Sequence, residues 1–343
     1  MTLVERIREG MDLSRRIVEI GPLYRPFVRK AEGNVVYVDH ADTATLREKY
    51  RDDPKFDVAD IVEVDAVWGG KTLAECIGEH AGYIIASHVI EHVPDLITWL
   101  GELSEALVPG GQIRLVIPDK RFTFDYLRRT TELADVLDAF LRKTRAPLPR
   151  CILDHVLNVR NVDTRQAWAG PLDPQKLDRP PGHGYALALG TARDALETAH
   201  YHDVHCWVFT PRSFAQLMHD MAEQGLHALK CVNYIDTRRD ELEFVTFVQP
   251  CADPAEVIAS WVQARDHSAP EGHLELTQLR SRVEREQQQA GRCFSELTAA
   301  SARLAEAERA LEVAQERIHS LEGSHSWRLT APLRAMRRIA RGE

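Results

Sequence analysis

The sequence predicts an α/β protein, with helices on both faces of a doubly wound, mostly parallel sheet, followed by a long C-terminal helix. Three features indicate this. Short runs rich in Val and Ile alternate with helical or turn-like stretches as far as residue 119, two later runs are spaced as a hairpin, and apolar residues beyond residue 273 recur every seven positions. With 343 residues, 44% of them hydrophobic, the chain is long enough for one large domain and an appendage.

The predicted parallel strands are five short runs whose near-continuous Val and Ile content favours burial on both faces. In chain order they are 16–21, 34–39, 60–65, 82–87 and 111–119. Between the last two, apolar residues recur at helical spacing from Leu96 to Leu107, and we expect Pro109-Gly110-Gly111 to end that helix.

The middle of the chain, 120–205, is rich in Pro, Gly, Arg and His. We predict a helix over 124–143 within an insertion that covers a site, because loops this long in compact domains are usually functional. Regular structure returns with a helix that begins at Thr210-Pro211, where Thr suits the N-cap and Pro the first helical position. Two strands, 228–235 and 242–249, then predict an antiparallel hairpin.

Charge and cysteine content narrow the class of protein. The formal net charge of -9 argues against nucleic acid as a partner. Neither a signal peptide nor a transmembrane segment is readable, so we expect a cytoplasmic protein. The six cysteines are scattered without a CxxC pair, which is typical of reduced thiols.

Beyond a predicted linker at 256–272, a heptad repeat predicts a coiled coil over 273–322. One seam position recurs every seven residues, at Leu276, Val283, Ala290, Leu297, Leu304, Leu311 and Ile318. The second position, three residues later, holds Leu279, Glu286, Cys293, Ala300, Ala307, Ala314 and Leu321. A repeat this long favours an arm that joins subunits or binds a partner protein. One amphipathic helix packed on its own domain is the alternative.

The last segment, 323–343, is basic and amphipathic. It carries five arginines against one acid, and four apolar residues are able to share a face beside them: Trp327, Leu333, Met336 and Ile339. The pattern suits an anionic membrane surface, so we expect 324–343 to bind one. A solvated basic tail is the alternative.

The order of motifs resembles that of the class I S-adenosylmethionine-dependent methyltransferases. The resemblance covers about 14–119 and 205–250, and it is closest in SHVIEHVPD, after the fourth strand, and LVPGGQIRLVIPD, at the fifth. The turn in VEIGPLYRP departs from the family, since it holds one glycine where more are usual. The resemblance implies a methyltransferase domain over 1–255, a Rossmann-like sheet of seven strands whose last strand is antiparallel, and S-adenosylmethionine as the cofactor.

The same resemblance assigns five cofactor-binding residues. Glu19 and Gly21 would border the methionine part, and Gly21 would let the backbone approach closely because it has no Cβ. Asp39 would accept hydrogen bonds from the ribose hydroxyls, since a carboxylate offers two oxygens to two donors. Asp65 is expected near the adenine, and Ser87 beside the sulfonium.

The candidate catalytic residues are histidines, because a hydroxyl acceptor loses its proton as it attacks and needs a general base. They are His88, directly after Ser87, His155 in the insertion, and His202 and His205 in HYHDVHCW. On an extended strand His200 and His202 would share a face, but nothing in the spacing fixes a metal-ligand geometry, so we predict no metal site. We expect His92 to be structural.

A second resemblance concerns the end of the chain. After a coiled coil, SHSWRLTAPLR resembles the ending of bacterial enzymes that build surface polysaccharides. Together the resemblances imply O-methylation of a sugar in a bacterial surface glycan or glycolipid intermediate, by a cytoplasmic protein that also lies at the inner membrane.

Two alternative functions stay open at this point. A catalytically inactive, methyltransferase-like scaffold in a polysaccharide assembly complex is favoured by the missing glycines. An NAD-dependent sugar oxidoreductase or epimerase is disfavoured, because the first turn lacks GxGxxG and no YxxxK pair is visible in a suitable helix.

Overall fold

The computed structural model describes residues 1–52, 57–269 and 273–341. They divide into two compact units, Met1–Gln278 and Leu279–Glu343. The first unit contains the sheet and the cleft discussed below, and the second contains most of the long C-terminal helix.

The sheet has seven strands in the order β3-β2-β1-β4-β5-β7-β6. All neighbours run parallel except β7, which lies antiparallel between β5 and β6. The strands are β1 Ile17–Ile20, β2 Val35–Asp39, β3 Ala66–Val67, β4 Ala81–Ser87, β5 Leu107–Pro118, β6 Leu229–Ile235 and β7 Glu243–Pro250. This arrangement confirms the predicted α/β, Rossmann-like fold class.

Helices cover both faces of the sheet. Those of the first unit are α1 Leu3–Arg8, α2 Thr43–Lys49, α3 Leu73–Ile77, α4 Leu96–Glu105, α5 Leu133–Leu141, α6 Pro149–Asn158, α7 Thr164–Ala169, α8 Tyr185–Thr198, α9 Pro211–Glu223 and α10 Pro254–His267. The C-terminal helices are α11 His273–Gly323, α12 His325–Leu329 and α13 Ala331–Arg341.

The strands are buried on both faces, as their composition predicts. On one side Ile84 and Leu115 pack with Leu103, Phe214 and Trp261 of the helices. On the other side a smaller core contains Ile7, Phe27, Tyr37, Ile85 and Phe247. Burying a large apolar side chain contributes about 1.5–3 kcal/mol, so these two layers account for much of the drive to fold.

Two predicted boundaries are wrong by a few residues. The third strand is Ala66–Val67 rather than 60–65, because residues 58–60 form a short helical turn in which Asp57 accepts a hydrogen bond from the Ala59 amide. Helix α4 ends at Glu105, and Pro109-Gly110-Gly111 lies within β5, where pairing with β4 shifts register and Gly110 has φ +73°.

The insertion 120–205 is more regular than its composition predicts. In place of a helix over 124–143, turns precede the shorter α5, and α6, α7 and α8 follow. Helices α6 and α8 form a small core of their own, made of Ile152, Val156, Ala188, Ala192, Ala195 and Val204. The alanines of α8 are spaced so that they lie on one helical face. In the sequence this is a weak hydrophobic signal, because prolines and glycines flank the segment.

The predicted linker at 256–272 contains helix α10 as far as His267, so that interpretation is wrong for the described part. Val257, Trp261 and Ala264 of α10 are buried at helical spacing, and the Trp261 indole N–H donates to the Leu229 carbonyl at 2.8 Å. Residues 270–272 lie outside the described ranges. The helix at Thr210-Pro211 and the hairpin are confirmed as α9, β6 and β7, with Thr210 accepting from the Ser213 amide.

In the C-terminal unit, the described seam residues of α11 are exposed, and the large apolar ones among them are Val283, Leu297, Leu304, Leu311, Ile318 and Leu321. Several predicted seam and tail residues have side chains outside the described part of the chain: Leu276, Leu279, Glu286, Cys293, Ile339 and Arg341. In the tail, the Arg334 guanidinium lies 3.7 Å from the centre of the Trp327 ring. Among the described helices, none combines the length and apolar character that crossing a membrane requires.

Candidate active site

The turn after β1 touches the turn after β4 at the carboxyl edge of the sheet. Gly21 has φ +65°, and its amide donates to the Val38 carbonyl at 2.8 Å. A Cβ added at Gly21 would meet Val89 Cγ2 at 3.2 Å. Both the left-handed backbone and this close contact favour glycine here. The turn predicted to approach the cofactor is therefore in contact with the segment that follows Ser87.

Asp39 ends β2 at the same edge and is 6% exposed. Its Oδ1 accepts from the His40 amide at 2.7 Å and lies 2.6 Å from His40 Nδ1. Among the described residues, no hydrogen bond or ion pair is made to Oδ2. The carboxylate therefore has one oxygen left for a further donor, which fits the role in ribose binding that the sequence predicts.

Both carboxylate oxygens of Glu19 accept hydrogen bonds from its own loop. It is 2% exposed, and its two oxygens accept from the amides of Phe27 at 2.6 Å and Val28 at 3.1 Å. Burial raises the pKa of Glu19 to about 7, although these two hydrogen bonds lower it. The side chain holds the loop after β1 closed, and contact with the methionine part of a cofactor stays a prediction.

Asp65 lies away from the other predicted cofactor residues. Its Oδ2 accepts from the Tyr37 amide at 2.8 Å and its Oδ1 from Lys30 Nζ at 2.5 Å. It lines a surface pocket with Lys30 and Gly33, near the start of β2. The residue that follows β3 at the carboxyl edge is Trp68, whose amide donates to the Asp39 carbonyl at 2.8 Å.

A cleft of about 780 Å³ opens beyond the ends of β4 and β5. Four of its lining residues form a cluster discussed next: His88, Glu91, His92 and His205. The remaining lining mixes apolar residues with polar ones, and the polar ones include Arg160, Asn161, Asp163, Thr164, Gln166, Lys176 and Asp178. Phe124 also lines the cleft and is 40% exposed. Such a surface suits a ligand with many hydroxyl groups and one apolar face.

Glu91 is the centre of the histidine cluster and is wholly buried. Its Oε1 lies 3.5 Å from His88 Nδ1, 3.9 Å from His205 Nε2 and 4.0 Å from His92 Nε2. No group in the described part of the chain makes a well-formed hydrogen bond to either carboxylate oxygen. A buried carboxylate without such partners is uncommon, because desolvation is costly.

The charged groups of this cluster shift one another's pKa values. Although burial works against it, the pKa of Glu91 lies below its usual value because His88 and then His205 and His92 favour the anion. Against the effect of burial, Glu91 raises the pKa of His88. The pKa of His92 is also raised against burial, by Asp203 and Glu91.

A buried ion-pair network orients His205. Its Nδ1 lies 2.5 Å from Asp125 Oδ2, and Asp125 Oδ1 accepts from Arg128 at 2.8 Å. Arg128 also donates to Asp154 at 2.8 Å and to the His205 carbonyl at 2.9 Å. Despite burial, His205 and Arg128 lower the pKa of Asp125 to about 2. With Nδ1 held by a carboxylate, His205 Nε2 is directed toward Glu91.

The structure brings together two of the four predicted catalytic histidines, His88 and His205. His155 lies behind His205, whose amide donates to His155 Nδ1 at 3.2 Å, and burial followed by the charge of Arg128 lowers the pKa of His155 to about 3. A group with that pKa is a weak base near neutral pH. His202 lies outside the cleft, 2.7 Å from Asp194 of α8, and its segment is not a strand.

Sequence reasoning missed Glu91 and Asp125 and treated His92 as structural. A signal for Glu91 was present in SHVIEHVPD, since a helical turn at Ile90–His92 brings residues three apart to one side. Asp125 had no local signal, because its partner His205 lies 80 positions along the chain.

A family profile described as "Methyltransferase domain" matches residues 2–222. No curated protein matches the sequence significantly. Among solved structures, one provisionally named a Zn-dependent alcohol dehydrogenase from Rhodobacter sphaeroides is 12% identical, covers 73% of this chain and 89% of its own, and has a TM-score of 0.42.

Two further solved structures have similar statistics. The CcbJ methyltransferase from Streptomyces caelestis is 11% identical, with 72% of this chain and 94% of that one covered and a TM-score of 0.37. The DhpI structure, a complex with SAH, is 12% identical, with 73% and 83% covered and a TM-score of 0.33. At these identities and scores the three structures support no argument about activity.

Proposed function

The chain belongs to the methyltransferase-domain family, and from that premise we propose that it transfers a methyl group from S-adenosylmethionine to a sugar hydroxyl of a bacterial surface glycan or glycolipid intermediate. Ligands of open α/β sheets bind outside the carboxyl ends of the strands, which is where Gly21 and Asp39 lie. We assign the close backbone approach to Gly21 and ribose binding to the free Oδ2 of Asp39. When bound there, the cofactor supplies an electrophilic methyl group on a sulfonium.

The observation that carries the proposal is the close approach of Val89 to Gly21, where an added Cβ would lie 3.2 Å from Val89 Cγ2. Val89 lies between His88 and the buried Glu91, so the turn assigned to the cofactor adjoins the turn that lines the cleft. An acceptor in the cleft would thus lie next to the methyl donor, and holding two reactants in this way is a major source of catalysis.

The lining of the cleft favours a sugar as the acceptor. Arg160, Asn161 and Gln166 offer donors and acceptors to hydroxyl groups, and the half-exposed Phe124 ring offers an apolar face for sugar C–H groups. The hydroxyl proton needs a base, and we assign this role to His88, which lines the cleft and is 40% exposed.

The cofactor site is tested by calorimetric titration of the full chain with S-adenosylmethionine and its demethylated product. Wild type should bind both, and Asp39→Asn should bind about 10–100-fold more weakly, because hydrogen bonds to a charged group contribute about 1.5–3 kcal/mol. Glu63→Gln is the control, since its side chain is 71% exposed. If folded wild type binds neither ligand, the inactive scaffold replaces the enzyme proposal.

The acceptor is tested with S-adenosylmethionine labelled in the methyl group and lipid-linked or nucleotide-linked sugars. We expect label in a methyl ether, which resists alkali. Label released by mild alkali would indicate a methyl ester and contradict transfer to a hydroxyl.

A further inference from the structure

We propose that Glu91, His92 and His205 bind a divalent first-row transition-metal ion that faces the cleft. One ligand atom from each residue lies within 4.8 Å of the others. Two ligands at about 2.1 Å from one ion in tetrahedral geometry lie about 3.4 Å apart. The 3.9 and 4.0 Å separations from Glu91 Oε1 would close by about half an ångström on binding, and the separation between the two histidine ligand atoms, which is within 4.8 Å, would close by up to about 1.4 Å.

The state of Glu91 is the first argument for an ion. The carboxylate is wholly buried, and neither oxygen has a hydrogen-bond partner among the described residues. Burying a charge is costly unless it is paired or coordinates a metal. The nearest groups are ring nitrogens rather than an arginine or lysine, and a cation between them would satisfy carboxylate and imidazoles together.

The orientation of the two histidines is the second argument. Asp203 Oδ1 lies 2.9 Å from His92 Nδ1, and Asp125 Oδ2 lies 2.5 Å from His205 Nδ1. At His205 the carboxylate hydrogen-bonded to Nδ1 keeps the proton there and leaves the Nε2 lone pair free. Asp203 lies close to His92 Nδ1 without hydrogen-bond geometry, so at His92 the argument rests on this proximity. Both Nε2 atoms lie on the side of Glu91. Metal-binding histidines are typically held in this way, by a carboxylate or carbonyl on the other nitrogen.

The ligand types indicate the class of ion. Two imidazoles and one carboxylate suit Zn²⁺, Fe²⁺ or Co²⁺ better than Mg²⁺ or Ca²⁺, which prefer oxygen ligands. Three protein ligands leave open positions, and the cleft is where those positions would meet an acceptor. The role in binding the acceptor hydroxyl rests on the proposed function, but binding of the ion does not.

The test is metal binding by the full chain after treatment with a chelator. Co²⁺ is added while its visible absorption is followed, and Zn²⁺ is then titrated by calorimetry. Wild type should bind an ion that Glu91→Gln and His92→Asn bind at least 100-fold more weakly. Asp125→Asn should bind about 10–100-fold more weakly, since it weakens the contact that orients His205.

Another group of possible ligands, Asp194, His200 and His202, provides the control. The double substitution His200→Asn and His202→Asn should leave the Co²⁺ spectrum and the Zn²⁺ affinity of the cleft unchanged. Thermal melting confirms that each variant is folded.

The possible outcomes separate this inference from the proposed function. The inference is overturned if stripped wild type binds no ion at micromolar concentration, or if Glu91→Gln and His92→Asn both bind as wild type does. Binding of the ion without binding of S-adenosylmethionine would contradict only the proposed function. Binding of S-adenosylmethionine without the ion would contradict only the metal site.

Discussion

At the scale of single residues, burial of Glu19 makes the stability of the fold depend on pH. Its pKa is raised from 4.5 to about 7 in the folded chain. Between these two values the folded state retains a proton that the unfolded state has lost. The contribution of this group to the free energy of unfolding is therefore fully present below about pH 4.5. It is lost as the pH rises through about 7, and the total loss is about 3 kcal/mol.

Replacing Glu19 with Gln should remove this dependence. The variant loses one of the two amide hydrogen bonds, because only the amide oxygen accepts, but its free energy of unfolding should fall less than that of wild type between pH 5 and pH 8. Urea unfolding of both proteins at the two pH values gives the comparison. An equal fall in both proteins would contradict the assignment.

Residue positions that follow from local backbone pattern were predictable, and contacts between residues distant in the sequence were not. Gly21 directly follows β1 and Asp39 ends β2, and these positions follow from the hydrophobic runs. Asp65 was predicted to end the third strand, but that strand begins after it, at Ala66. The environment of Glu91 depends on His205. That residue is far from Glu91 in the sequence, and no sequence spacing predicts that the two lie close together.

At the scale of elements, helices with a local sequence signal were predictable, and helices that depend on contacts with distant residues were not. Helix α9 was predictable because Thr210-Pro211 is a local start signal. Helix α10 was missed because its place depends on Trp261 reaching the Leu229 carbonyl of β6. Helices α6 and α8 were missed because they form a core of small residues with each other rather than with the sheet.

Helix α11 leads to a prediction about association. Leu304 and Leu311 of its seam are 62% and 59% exposed. Within the described part of this single chain, no residue buries these two seam leucines. We expect it to pair with another helix. Leu304→Glu with Leu311→Glu should weaken association by roughly 2 kcal/mol or more per chain, since buried leucines are lost.

Sedimentation equilibrium of the full chain measures this effect. The control is Ala302→Glu with Ala305→Glu, which adds the same charge outside the seam. The same stoichiometry in wild type and both variants would show that the seam does not drive association.

At the scale of the whole molecule, the basic tail is expected to bring the protein to anionic membranes. Leu333 and Met336 of α13 are 64% and 61% exposed beside its arginines. Each basic residue near an anionic surface contributes about 1 kcal/mol. Changing Arg334, Arg337 and Arg338 to Gln should therefore reduce binding to anionic vesicles by roughly 100-fold.

Co-sedimentation with vesicles tests this prediction, and neutral vesicles provide the baseline. The matched control changes Arg51, Lys176 and Arg239, three exposed basic residues of the first unit, to Gln. Equal losses in the two variants would attribute binding to net charge rather than to the tail.

The backbone conformation of His88 affects the stability of the whole molecule. It directly follows β4 with φ +53°, a left-handed conformation that costs a residue with a side chain about 1 kcal/mol. Glycine would adopt it freely, so selection for thermostability alone would favour glycine at this position. With His88 as the proposed base, an imidazole at this position trades stability for activity, and directed evolution toward higher melting temperature should find its gains at this turn at the expense of turnover.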